Sequence, residues 1–139
     1  MASGAGGGRG ARAVRVRVEF SPDSVRVVRG RLDDWMSDIG LPASAKDDAR
    51  LVLSELLTNA VEHATPLPDG RLVVTWARLG KALTLSVRDG GGPNVPRALD
   101  PPPLANAGRG LGIVATLAEA RWVEGDRYGR TVHALVPLP

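Results

Sequence analysis

The chain contains no cysteine and only two histidines, His63 and His133. Without cysteine there is neither a disulfide framework nor a thiolate to do chemistry, and two histidines leave too few ligands for the usual zinc sites. Lysine is confined to Lys46 and Lys81, so the net charge of +3 and the pI of about 10.2 come from arginines scattered along the chain. Such basicity is compatible with nucleic acid. The only aromatics, however, are Phe20, Trp35, Trp76, Trp122 and Tyr128, and none is interleaved with a basic cluster, as single-strand binding would favour. No direct nucleic-acid contact is expected. No apolar run approaches the ~20 residues of a membrane-spanning helix, so no membrane is expected as a partner. The opening MASGAGGGRGAR lacks the apolar segment of a secretory signal, and a cytoplasmic location is the expectation.

What is present suits a single domain: 139 residues, 43% hydrophobic and 24% charged. Residues 1–11 read as a flexible Gly/Ala-rich tail and 12–139 as the folded domain. Val14, Val16, Val18 and Phe20 alternate with Arg15, Arg17 and Glu19, which predicts a half-buried strand. Ser21 or Asp23 would cap a helix over Val25–Ile39 with Val25, Val28, Leu32, Trp35, Met36 and Ile39 inward, ended by Gly40-Leu41-Pro42. A second helix is expected from about Ser44 to His63, with Asp47 and Asp48 favouring its positive end. Strands over Arg71–Leu79 and Ala82–Arg88 flank a turn at Gly80-Lys81. Residues 89–109 then show little periodicity, with four glycines and five prolines; a loop this long is usually functional or disordered. Helical spacing returns from Gly110 to Glu119, and two strands, Ala120–Glu124 and Arg130–Val136, close the chain. This order predicts an α+β sandwich of two layers, a mixed but mainly antiparallel sheet covered on one face by helices.

Three features on this frame can carry chemistry. Glu55 and Asn59 are four residues apart in LVLSELLTNAVEHA and share a helix face. Asp89-Gly-Gly91 stands at the end of the third strand. Gly108-Arg-Gly110-Leu-Gly112 opens the last helix. Each also has a plain structural reading, as a helix-face polar pair, a turn and a loop–helix junction. Their chemistry is nonetheless specific. Asn59 offers an uncharged oxygen to Mg²⁺, which prefers oxygen ligands, and Glu55 beside it could serve as a general base. Asp89 can accept a hydrogen bond from a purine amino group. Glycines ahead of a helix let backbone amides approach a phosphate.

In order, E-x-x-x-N, D-x-G and G-x-G-x-G resemble the nucleotide-binding boxes of the superfamily of gyrase, heat-shock chaperone, histidine kinase and mismatch-repair ATPases, which share the Bergerat α/β sandwich fold. Gly129-Arg-Thr131 resembles that superfamily's terminal G-x-T element, and the likeness spans about residues 13–137. No dimerisation and phospho-acceptor helix pair is expected ahead of the boxes. The domain size and the wording SELLTNAVEHA resemble the anti-sigma-factor serine kinases in particular. That resemblance implies ATP and Mg²⁺ as cofactors. Asn59 would hold the metal, and Glu55 would act as base on an acceptor hydroxyl. Asp89 would read adenine, with Gly91 permitting the nucleotide's approach. Gly108, Gly110, Leu111 and Gly112 would lie at the phosphates. Thr131 would support the adenine end, and residues 92–107 would form the ATP lid. Arg109 would add a phosphate contact or stand as a solvated lid charge. The implied partners are a sigma factor and an anti-sigma-factor antagonist (the anti-anti-sigma protein), with a possible homodimer through the arginine-bearing first strand and first helix.

Two residues depart from the pattern. Pro93 stands where the D-x-G-x-G box has its second glycine, which would stiffen the lid hinge, and Glu62 stands three residues after Asn59, where a basic residue is common. They keep two alternatives open: a nucleotide-switched partner-binding module with little catalysis, and a detached histidine-kinase-type ATPase domain.

Overall fold

The computed structural model describes residues 13–92, 118 and 120–139. The helix expected over 110–119 lies outside them apart from Ala118, as do the tail and residues 93–107 of the expected lid. The described elements are β1 (Val14–Glu19), α1 (Ser24–Asp38), α2 (Ala43–His63), β2 (Arg71–Leu79), β3 (Ala82–Asp89), β4 (Ala120–Asp126) and β5 (Gly129–Pro137). The five strands form one sheet in the order β1-β2-β3-β5-β4, and every pairing is antiparallel. Both helices pack on the same face, giving the two-layer α+β sandwich.

The strands form where period-2 patterning demands them. In β1, Val16 and Val18 are buried while Arg15, Arg17 and Glu19 face water. Leu72, Val74 and Trp76 of β2, Leu83, Leu85 and Val87 of β3, and Val132, Ala134 and Val136 of β5 turn the same way, toward the helices. Against them lie Val28, Leu32 and Met36 of α1 and Val52, Leu53, Leu56, Leu57 and Ala60 of α2. Full burial stabilises each such Leu or Val by roughly 1.5–3 kcal/mol relative to exposure. Trp35 meets Trp76 edge-on, with ring centroids 6.5 Å apart, so both belong to the core.

Local signals fix the helix ends. Asp23 is the N-cap of α1 but makes no side-chain cap bond. Ser21 Oγ instead accepts from the Asp23 N–H, and the Ser24 hydroxyl donates to the Glu19 carbonyl. At the other end, Gly40 N–H donates to Ser37 O and Leu41 N–H to Met36 O, the paired bonds of a Schellman motif. Helix α2 starts at Ala43 after Pro42, so Asp47 lies beyond its first turn. Asp47 pairs with Arg50 rather than serving the helix end, and Arg50 also reaches Asp33 of α1. Asp33, more than Asp47, holds the guanidinium pKa above its ordinary value, against the opposing effect of burial. Among the described residues no helix is long and apolar enough to cross a membrane.

Candidate functional site

Asp89 is the last residue of β3 and continues the alternation that turns Leu83, Leu85 and Val87 toward the helices. Its side chain is fully buried, at 0% exposure. A buried carboxylate is costly unless it is paired and hydrogen-bonded, and both conditions are met. Gly91 N–H donates to Oδ1 at 2.7 Å and Arg130 Nη2 donates to Oδ2 at 3.0 Å. Arg130 stands directly opposite Asp89 in the β3–β5 register. It shares the parity of Val132, Ala134 and Val136, so both side chains point to the covered face.

The end of α2 is stitched to this position. Beyond its C-cap Ala64, the Thr65 N–H and hydroxyl both donate to the Gly91 carbonyl at 2.8 Å, while Gly90 N–H donates to the Thr65 carbonyl at 2.7 Å. This approach is so close that a Cβ on Gly90 would collide with the Pro66 carbonyl. Gly91 has φ +83°, a conformation that side chains disfavour. The Asp-Gly-Gly sequence is therefore required by the junction. Glu55 and Asn59 are both half-buried on α2. Asn59 lies four residues before the last residue of α2, His63, about 6 Å along the axis from the end that Thr65 ties to β3. Their oxygen donors, one turn apart, are of the kind Mg²⁺ takes, and Asp89 is of the kind a purine amino group needs.

Gly108, Arg109, Gly110, Leu111 and Gly112, together with Pro93, lie outside the described residues. Glu62 and His63 are exposed at the end of α2, with Glu62 Oε1 3.7 Å from His63 Nε2. Thr131 does not join this group of side chains. Successive side chains on a strand point to opposite faces, so Thr131 turns away from Asp89 to the open face, where its hydroxyl accepts from Arg88 Nη1 at 3.3 Å. The neighbour beside Asp89 is Arg130, which motif reading passes over. The period-2 spacing of Arg130, Val132, Ala134 and Val136 was the signal that would have found it. Thr65 was legible only as part of a loop.

The open face carries its own polar group. Ser86 Oγ lies 2.7 Å from His133 Nδ1, and His133 Nε2 lies 2.7 Å from Glu124 Oε1. Trp122 stacks on the imidazole at 4.8 Å. At the β4–β5 turn, Asp126 accepts from Tyr128 N–H, Gly129 N–H and Arg88. The Tyr128 bond is the largest influence holding its carboxyl below the ordinary aspartate range.

The strand-end carboxylate is thus laced through Gly90 and Gly91 to the end of the helix that bears Glu55 and Asn59. Residues 18–134 match the histidine kinase-like ATPase domain, so the chain belongs to that family. Its fold is like that of the RsbU and RsbW domains of Rv1364c from Mycobacterium tuberculosis, with a TM-score of 0.69 at 24% identity. The likeness covers 91% of this chain and 32% of that one, so the chain spans about a third of the protein it resembles. No curated protein sequence matches the chain significantly.

Proposed function

We infer that this protein is an ATP-binding anti-sigma regulatory factor with Mg²⁺-dependent serine kinase activity toward an anti-sigma-factor antagonist. The observation that carries the reading is Asp89, buried at the end of β3 and bonded to Gly91, which Thr65 fastens to the end of the Glu55/Asn59 helix. A histidine kinase-like ATPase domain supplies the family context. The likeness to a solved RsbW domain favours the anti-sigma branch.

In this reading Asp89 accepts the adenine amino group and Asn59 holds Mg²⁺. Glu55 takes the proton of the acceptor serine hydroxyl. Gly108, Gly110, Leu111 and Gly112 place backbone amides at the phosphates, with Arg109 as an added cation. Bound Mg-ATP supplies the phosphoryl group and the charge neutralisation for its transfer. The protein works in the cytoplasm, as residues 12–139 folded as one domain, against a sigma factor and its antagonist. Edge strand β1, with Arg15 and Arg17 exposed, is the surface assigned to a second copy; a monomer in sedimentation at assay concentration would remove that part.

The direct test is incubation with labelled ATP, Mg²⁺ and a candidate antagonist protein. Acid-stable phosphate on a serine is the expected product. Its absence with every cognate partner sinks the kinase, and acid-labile phosphate points to a detached histidine-kinase-type domain instead. Glu62, acidic and exposed one turn beyond Asn59, favours a second reading, a nucleotide-switched binding module. Tight Mg-dependent ATP binding that alters partner affinity without transfer would establish it.

A further inference from the structure

We propose that Arg130 is a base-reading residue, whose guanidinium donates to ring N1 of adenine beside the acceptor that Asp89 offers to the 6-amino group. The inference rests on the nucleotide-binding reading above. Asp89 and Arg130 face each other across β3 and β5, with Nη2 and Oδ2 3.0 Å apart. A carboxylate only accepts and a guanidinium only donates. Adenine presents the complement along one edge: an N6–H donor next to the N1 acceptor.

Neither group is used up by the pair. A carboxylate has about four lone-pair sites, and Gly91 N–H and Arg130 take one on each oxygen. A guanidinium has about five N–H donors, one of which goes to Asp89, while Nε is buried without a partner among the described residues. The solvent-facing part of the pair belongs to Arg130, 12% exposed against 0% for Asp89, so a base arriving from solvent meets Arg130 before it reaches Asp89. The hydroxyl of the next residue, Thr131, is held on the other face by Arg88. Guanine carries N–H at N1, which opposes a guanidinium donor to a donor, so the pair selects adenine.

The test measures binding of ATP and of 1-deaza-ATP, which has C–H in place of N1, to the full chain with Mg²⁺. The wild type is expected to bind 1-deaza-ATP about 10-fold more weakly, the scale of one hydrogen bond to a charged donor, and GTP at least as weakly. Arg130→Met is expected to bind ATP and 1-deaza-ATP equally, and Thr131→Val to keep the wild-type ratio. A merely structural role for Arg130 would weaken both nucleotides together and leave their ratio intact. Equal wild-type affinity for ATP and 1-deaza-ATP, GTP binding as tight as ATP, or an unchanged ratio in Arg130→Met overturns the proposal. If Arg130→Met does not fold, the wild-type ratios alone decide. A wild type that binds none of these nucleotides overturns the nucleotide-binding reading, and this inference with it.

Discussion

Strands β3 and β5 carry a polar group on each face, and the two groups live in different solvents. On the covered face Asp89 is fully buried, and Arg130 beside it keeps only 12% of its side chain exposed. On the open face Ser86 and His133 meet at the same 2.7–3.0 Å scale, but their carboxylate, Glu124, is 68% exposed. With Nε2 donating to Glu124, Nδ1 of a neutral ring accepts from Ser86, which gives a satisfied polar ladder under Trp122. Equal hydrogen-bond lengths do not mean equal energies. Water replaces a lost partner on the open face, whereas nothing does on the covered one. A buried ion pair is also weak evidence for stability, since well-packed apolar residues often do as well. The covered pair is therefore the one whose presence calls for a functional explanation.

The largest effect should come from breaking that pair on one side. Asp89→Ala leaves the Arg130 guanidinium without its carboxylate and should cost about 3–5 kcal/mol in urea unfolding. Replacing both partners, Asp89→Leu with Arg130→Met, should recover most of that loss while nucleotide binding stays absent; a double variant no more stable than the single would show that the pair serves the fold. Next comes the junction that presents Asp89. Gly90→Ala drives a methyl into the Pro66 carbonyl and should cost roughly 1–3 kcal/mol, with ATP affinity falling in the same titrations. The open face should be more tolerant. Ser86→Ala removes one hydrogen bond to a half-buried ring and should cost about 1 kcal/mol, with ATP affinity unchanged; a loss of binding there would erase the distinction between the faces. The smallest effect is expected at the β4–β5 turn. Its donors hold Asp126 below the ordinary aspartate range. The stability it lends is therefore complete above that range and fades as pH falls through it toward the lower folded value. The Tyr128 and Gly129 amide resonances should report this transition, and Asp126→Asn should lack it.

Much of the frame was legible along the chain. The alternation from Val14 to Phe20 marks β1, the three-and-four spacing of Leu53, Leu56, Leu57 and Ala60 marks the inner face of α2, and Gly80-Lys81 marks a turn. These signals are local: side-chain spacing sets which face is apolar, and burial of that face fixes the element. The Glu55/Asn59 and Asp89-Gly-Gly91 pairs were legible for the same reason, being short-range patterns. Thr65 was not, because its importance is a set of hydrogen bonds to Gly90 and Gly91 formed only when α2 packs on the sheet. The direction of Thr131 was not legible either, because a short motif names a residue but not the face it occupies.

By itself, the sequence determined the elements, their apolar faces and the order of the chemical groups along the chain, since each depends on residues within a few positions of one another. Only the tertiary structure decided that β5 lies between β3 and β4 and that Asp89 pairs with Arg130 rather than standing near Thr131. Strand order and register join residues separated by some forty positions, and no local spacing encodes which of two adjacent side chains will meet a partner that far away.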